Sequence, residues 1–99
     1  MRKAATKALL AKCEEVSALL GSLAHPVRLK VLCKTLEGEQ SVNELTEFCG
    51  ISQSAMSQFL ARMKADGLLE SRRESTRVYY SARDPRVLRL LEAIKEICA

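Results

Sequence analysis

Residues 41–67 read SVNELTEFCGISQSAMSQFLARMKADG and contain two short helical patterns separated by a glycine. Ser41 and Glu44 have the spacing of a capping box, in which each side chain accepts a backbone N–H near the other, so we predict that a helix begins there. Gly50 can take the left-handed conformation that ends helices. Ser52 then favours a second helix cap. The stretch therefore predicts a helix–turn–helix.

The second of these helices divides into two faces when its residues are spaced by about 100°. One half is apolar and is predicted to pack on a core: Ala55, Met56, Phe59, Leu60 and Met63. The other half is small or polar, without an acid from residue 50 to 65, whereas an ordinary solvated face usually mixes Glu and Lys. Gln and Ser can pair with base edges in a major groove, and Arg can read guanine or hold phosphate. The predicted DNA contacts on this helix are Gln53, Ser54, Ser57, Gln58, Arg62 and Lys64.

Two strand-like runs, 69–73 and 77–81, follow the second helix and predict a hairpin. Arg72, Arg73 and Arg77 cluster around its turn. Cations at this place are predicted to lie along DNA phosphates or in the neighbouring minor groove. A solvated basic loop is the alternative.

Further helices are predicted on both sides of this unit, over 4–22, from Pro26 to about Leu36, and from Pro85 onward. The order predicts a mainly α fold with a small β-hairpin wing, α-α-α-α-β-β-α, with residues 1–99 as one winged helix-turn-helix domain for DNA binding and dimerisation. The first and last helices carry more apolar surface than so small a chain needs for its own core. We therefore predict a homodimer through them, the alternative being that both pack on the chain's own core.

On the last of these helices the apolar residues recur at helical spacing and form one stripe. The stripe consists of Val87, Leu91, Ile94 and Cys98. In the predicted homodimer this stripe faces the partner.

The composition is that of an ordinary globular chain, with 99 residues, 47% hydrophobic residues and a formal net charge of +4. A mild basic balance is compatible with a polyanionic partner. No apolar run approaches the roughly 18 residues of a membrane span, and charges interrupt the N-terminal stretch. We therefore expect a cytoplasmic protein without a membrane partner.

Four cysteines and a single histidine limit the chemistry that is available. No C-x-x-C pair occurs, so a Cys/His zinc module is excluded by spacing, and we expect neither a metal nor a cofactor. An enzyme would need a nucleophile with a base, and His25, the only histidine, stands next to a proline. We therefore expect no enzymatic activity.

Four segments together resemble the ArsR family of dimeric bacterial repressors. They are HPVRLKVL (25–32), SVNEL (41–45), ISQSAMSQFLARMKADGLL (51–69) and RVYY (77–80). The resemblance implies a winged helix-turn-helix homodimer that binds double-stranded operator DNA at an imperfect palindrome and is released by an inducer.

Within that family, Cys33 in VLCK and Cys98 in EICA match the two cysteines of the dithiol subgroup of BigR, SqrR and HlyU type. This resemblance implies redox-sensing thiols, Cys33 and Cys98, which react with low-molecular-weight persulfides or polysulfides, or with oxidants, and release the operator.

Three alternative functions stay open. The metal sites of the family fit poorly, because the chain has no Cys-x-Cys pair and its last helix has no histidine. A metal- or arsenic-responsive repressor that uses Cys13 and Cys98 is still an alternative. A repressor without a thiol inducer is another, since free cysteines often serve only in packing. A winged-helix protein-interaction module is the third.

Overall fold

The computed structural model describes residues 3–98, which form six helices and a three-stranded antiparallel sheet of order β1-β3-β2. The helices are α1 (Lys3–Ala11), α2 (Cys13–Leu23), α3 (Pro26–Thr35), α4 (Val42–Cys49), α5 (Gln53–Ala65) and α6 (Pro85–Cys98). The strands are β1 (Gln40–Ser41), β2 (Leu69–Glu74) and β3 (Arg77–Ala82). The predicted mainly α winged helix-turn-helix is confirmed, and we call the β2–β3 hairpin the wing.

The caps of the helix–turn–helix form as predicted. Ser41 Oγ accepts the Glu44 N–H at 3.2 Å, and Glu44 Oε1 accepts the Ser41 N–H at 2.9 Å. The hydrogen bond from the Ser41 backbone lowers the pKa of Glu44. Gly50 ends α4 with a φ of 67°, and the Ser52 hydroxyl accepts the Ala55 N–H at 3.1 Å to begin α5. Local hydrogen bonds therefore fix where α4 ends and α5 begins.

The start of α3 is held by His25 and Pro26. His25 Nδ1 accepts the Val27 N–H at 3.1 Å, and Pro26 occupies the first helical position, where a missing N–H costs nothing. The His25 ring also lies 4.9 Å from the Phe59 ring, centroid to centroid. This contact joins the start of α3 to α5.

The prediction of a single helix over 4–22 is wrong, because the chain breaks at Lys12 into α1 and α2. Lys12 has φ −107° and ψ 3°, and its N–H bonds to the Leu9 carbonyl three residues back. Glu14 and Glu15 follow in the first turn of α2, where carboxylates favour a helix N-terminus. The apolar spacing runs through the break, so periodicity alone did not indicate it.

The element order predicted from the sequence omitted β1. In the structure Gln40 pairs with Tyr80 and Ser41 with Tyr79, which adds a third strand to the sheet beside the wing. Gln40 is buried, and its Nε2 donates to the carbonyls of Lys34 and Gly38, each at 3.1 Å. A two-residue strand that begins with a glutamine has no hydrophobic pattern to reveal it.

The core is built from residues of α2 through α6, whereas α1 buries none of its residues. Its buried apolar members are Leu23, Val31, Leu32, Leu45, Met56, Leu60, Met63, Leu68, Leu69, Val87 and Leu91. The radius of gyration is 15.3 Å, against about 13 Å for a compact chain of this length. The described part of the molecule is therefore elongated, with a first helix that the core does not hold.

The stripe predicted on the last helix is divided between two environments. Val87 and Leu91 are buried in the chain's own core, whereas Ile94 and Cys98 are exposed. Ile97, which is 80% exposed, extends the uncovered part. The prediction that the whole stripe faces a partner is thus wrong for the first two of these residues.

No single helix within residues 3–98 is long and apolar enough to cross a membrane. Only α2 and α3 taken together, which meet at 90°, reach the required length and composition.

Candidate nucleic-acid interface

Helix α5 is fixed by one face and presents the other. Met56, Leu60 and Met63 are fully buried, which anchors the helix on the core. Every residue predicted to contact DNA from the opposite face is exposed, and so are the two alanines beside them: Gln53, Ser54, Ser57, Gln58, Arg62 and Lys64, with Ala61 and Ala65. The structure thus places the polar, acid-free side of a rigid helix in solvent. Such a surface has the shape and hydrogen-bonding groups that a major groove accepts.

A cleft of about 440 Å³ lies where the helix–turn–helix meets the wing. The start of α4 forms one wall with Asn43, the start of α5 contributes Gln53, and the wing contributes Thr76 and Arg77. Sequence reasoning named Gln53 and Arg77 but missed Asn43 and Thr76. The only available signal for these two was their position, inside a capping box and in a hairpin turn.

The wing projects its cations from a tight turn. Glu74 pairs with Arg77 across the hairpin, and Ser75 takes a φ of 59°, which the primed two-residue turns require at their first central position. Arg73 and Arg77 are both exposed. Within residues 3–98 neither guanidinium has an ion pair or a side-chain hydrogen bond. These two arginines are therefore available to phosphates.

The third predicted wing cation is placed differently. Arg72 Nε contacts the two carboxylate oxygens of Glu39 at 2.9 and 2.7 Å, and its Nη1 donates to Glu74 Oε2 at 2.9 Å. The hydrogen bond from Arg72 lowers the pKa of Glu39. Arg72 thus has two carboxylate partners inside the chain, unlike Arg73 and Arg77.

The two predicted cations at the end of α5 also have internal partners. Arg62 Nε lies 3.4 Å from Asp66 Oδ2 and lines a charged cleft beside α2 and the start of α6. Lys64 Nζ donates to the hydroxyl of Ser71 at 2.7 Å. Lys64 therefore joins the end of α5 to the wing, while Arg62 lines the cleft that α5 forms with α2 and the start of α6.

The four cysteines are free and differ in exposure. Cys13, Cys33 and Cys98 are exposed, whereas Cys49 is half-buried and packs against the core. Burial raises the pKa of the Cys49 thiol, an effect that the charge of Lys30 partly opposes. Cys33 lies on the exposed side of α3, and Cys98 ends α6. Within the described residues no group of three or more His, Cys, Asp or Glu side chains is arranged to hold a metal.

Together, the helix–turn–helix, the exposed polar face of α5 and the cationic wing define a DNA-binding regulator of the winged-helix class. Comparison with known proteins identifies the family. Residues 25–71 match the model described as "Bacterial regulatory protein, arsR family". The HTH-type transcriptional regulator YgaV of Escherichia coli (strain K12) is 41% identical over 91 residues, which cover 90% of this chain and 91% of YgaV.

Solved structures agree with this assignment. The crystal structure of the transcriptional repressor BigR from Xylella fastidiosa superposes with a TM-score of 0.88 at 34% identity, covering 95% of this chain and 96% of BigR. Reduced HlyU from Vibrio cholerae N16961 gives 0.83 at 33% identity, covering 92% and 96%. The chain belongs to the arsR family of bacterial regulatory proteins. This confirms the predicted family and the expectation of a DNA-binding regulator rather than an enzyme.

Proposed function

We propose that this chain is a cytoplasmic, homodimeric repressor that binds operator DNA and releases it when Cys33 and Cys98 react with a persulfide or polysulfide. The observation that carries the DNA-binding part is the exposed polar face of α5, held in place by three fully buried residues on its other side. The likeness to BigR, described as a repressor, supports the direction of regulation.

The DNA contacts divide by chemistry. Ser57 and Gln58, on the exposed face of α5, are assigned to base edges, since Gln pairs bidentately with adenine and Ser with several bases. Arg73 and Arg77 are assigned to phosphates, because both guanidinium groups lack internal ion pairs among residues 3–98. The remaining proposed contacts are Gln53, Ser54, Arg62 and Lys64.

The dimer is proposed from apolar surface that the described chain leaves uncovered. Leu10 on α1 is 66% exposed and Ile97 on α6 is 80% exposed, and Leu9 and Ile94 extend the same two surfaces. Apolar side chains at this density are typical of protein contacts rather than of a monomer surface. A two-fold dimer would place two α5 helices in successive major grooves, about one helical turn apart.

The switch needs no separate oxidant when the inducer is a polysulfide. The Cys33 thiolate attacks the central sulfur of an organic trisulfide, R–S–S–S–R, and displaces one RS⁻. The Cys98 thiolate attacks the same sulfur and displaces the second RS⁻, which leaves a Cys33–S–S–S–Cys98 bridge. The two cysteines are oxidised, the trisulfide is reduced to two thiols, and the cysteine protons pass to these thiols.

The distance between the two cysteines would determine which reagents can bridge them, and their positions in the fold would determine how a bridge affects DNA binding. A direct disulfide needs Cα atoms about 4.4–6.8 Å apart, whereas a bridge with an added sulfur spans more. Cys33 lies on α3, behind the helix–turn–helix, and Cys98 lies at the end of α6. A bridge between them would tie the DNA-reading unit to the dimerisation helix and change the spacing of the two α5 helices. Coupling of this kind is typically about 1–3 kcal/mol, or roughly 5–150-fold in affinity.

The test uses a duplex selected from a random library by the unmodified protein. Wild type, Cys33→Ser and Cys98→Ser are titrated onto it before and after treatment with an organic trisulfide, and each product is weighed by mass spectrometry. We expect only wild type to gain one sulfur, lose two hydrogens and release the duplex. Release by either single variant to the wild-type extent overturns the dithiol mechanism, while failure of the selection to yield any bound duplex overturns DNA binding itself.

A further inference from the structure

An ion-pair network of three side chains joins the wing to the segment before β1 and has no role in the DNA contacts proposed above. Its centre is Arg72, which contacts both oxygens of Glu39 and one oxygen of Glu74 at 2.7–2.9 Å. The guanidinium carbon also lies 4.8 Å from the centroid of the Tyr79 ring. A single exposed ion pair contributes little, but a network of several charges with a stacked arginine holds its geometry better.

The strand register explains why these side chains meet. Arg72 on β2 stands opposite Tyr79 on β3, and Tyr79 stands opposite Ser41 on β1. Glu74 lies two residues from Arg72 along β2, so alternation puts both side chains on the same face of the sheet. Glu39 immediately precedes β1. Arg72 therefore crosses the middle strand, over the Tyr79 ring, and contacts the segment that leads into β1.

That segment also sets the position of the helix–turn–helix. Ser41, two residues after Glu39, is the N-cap of α4 and is held there by Glu44. A bond from the wing to Glu39 thus fixes the hairpin relative to the start of α4, and through the short turn after α4 relative to α5. Arg73 and Arg77 on the hairpin thereby gain a defined distance from the DNA-reading helix.

We propose that Arg72 is a positioning residue and not a phosphate contact. Its ion pairs with Glu39 and Glu74 hold the wing against the segment that leads into the helix–turn–helix. They thereby fix where Arg73 and Arg77 meet the DNA. The proposal rests on the DNA-binding part of the proposed function. It changes the role that the sequence suggested for Arg72, because the sequence could not reveal a carboxylate partner 33 residues away.

Removing the negative charge of Glu39 should have opposite effects on DNA affinity if Arg72 contacts phosphate and if Arg72 positions the wing. If Arg72 contacted phosphate, Glu39→Gln would remove one of its two carboxylate partners and a negative charge, so binding would tighten. If Arg72 positions the wing, Glu39→Gln weakens binding even though the protein becomes more positive. We expect Glu39→Gln and Arg72→Gln each to lower affinity severalfold for the selected duplex, and the double variant to lose no more than the larger single loss.

Salt dependence gives a second readout that a structural defect alone does not move. Neutralising one phosphate contact changes the slope of log K against log salt by about 0.9. We expect that change for Arg77→Gln, the matched control on the same hairpin, and a much smaller one for Arg72→Gln. Circular dichroism establishes that each variant is folded. We expect the Arg72 and Glu39 variants to fold, because both of these side chains are exposed.

Charge reversal completes the test. Arg72→Glu and Glu39→Lys should each weaken binding, and combining them should restore most of the lost affinity, because the exchanged pair can still form. Tightening by Glu39→Gln, a full phosphate-type slope change in Arg72→Gln, or absence of rescue in the exchanged pair would each overturn the positioning role. If Arg77→Gln left the slope of log K against log salt unchanged, that result would instead count against the proposed DNA contacts of the wing.

Discussion

Arg86 Nη1 donates a hydrogen bond to Glu15 Oε1 at 2.9 Å, across 71 residues of sequence. The same guanidinium contacts Asp84, whose Oδ2 lies 2.8 Å from Nη2 and whose Oδ1 accepts the Arg86 backbone N–H at 2.9 Å. Arg86 thus joins α2 to the first turn of α6. The helix that carries Cys98 is tied to the body of the chain at the end opposite to that cysteine.

Asp84 should make stability dependent on pH in the acid range. The side-chain hydrogen bond from Arg86 lowers the pKa of Asp84, so the unfolded chain takes up this proton at higher pH than the folded one. The stabilisation is then complete above the ordinary Asp pKa of about 3.9 and is lost as pH falls through the lower folded value. Asp84→Asn should therefore be less stable than wild type at pH 7, by about 1 kcal/mol or less because Arg86 is half-exposed, and the difference should shrink below pH about 4.

Urea unfolding at one fixed protein concentration and a series of pH values measures this difference. Glu92→Gln is the matched control, since Glu92 forms no ion pair within the described part of the chain. A difference between wild type and Asp84→Asn that stays constant from pH 7 to the acid range would contradict the prediction.

Mutations of base-contacting and of phosphate-contacting residues should have different effects on DNA binding. Gln58→Ala removes an exposed amide on α5 and should reduce discrimination among duplex variants by about 1–3 kcal/mol at the base it contacts. Arg77→Gln should weaken every duplex alike. Competition binding with single-base variants of the selected duplex measures both effects. Unaltered preference in Gln58→Ala would mean that α5 docks in another orientation.

Assembly and core packing should respond to different residues of α6. Ile97→Glu changes a side chain that is 80% exposed in the single chain, so folding should be little affected while the dimer is lost. Leu91→Ala removes a buried side chain and should instead cost about 2–5 kcal/mol of folding free energy. Light scattering and circular dichroism on both variants measure the two outcomes. An Ile97→Glu protein that is still dimeric at micromolar concentration would show that α6 does not join the protomers.

The thiols should differ in reactivity. Cys49 is half-buried with a raised pKa, so at neutral pH it holds less thiolate, the attacking form, than an ordinary exposed thiol. Alkylation by iodoacetamide, followed by mass spectrometry, should modify Cys33 and Cys98 severalfold faster than Cys49, with the gap narrowing as pH rises. In urea all should react alike. Equal rates in the folded protein would show that Cys49 is as accessible as the two proposed sensing thiols.

The sequence predicted the parts of the fold that short-range hydrogen bonds define. Ser41 with Glu44, Gly50 and Ser52 form caps between residues no more than four apart, so their spacing alone revealed them. The two faces of α5 followed from the helical period for the same reason.

The features that the sequence did not reveal depend on long-range packing or on the absence of it. Leu91 and Ile97 belong to the same apolar helix, and only the packed core shows that the first is buried and the second is not. Lys12 interrupts a continuous apolar pattern, and α1, which precedes this break, buries none of its residues. Arg72 and Glu39 meet only after three strands have paired. Composition and periodicity carry no signal for such contacts.

Helix α1 contributes nothing to the core, since every buried apolar residue within the described range 3–98 lies at Leu23 or beyond. A nine-residue helix is also shorter than the roughly 12–15 residues that an isolated helix needs to be stable in water. The order of α1 therefore depends on whatever covers it, and a chain cut after Lys12 keeps its complete core. In the proposed dimer, the residues that supply the free energy of assembly would differ from those that supply the free energy of folding. Substitutions at the exposed apolar positions would then change how tightly protomers associate without altering how well each one folds.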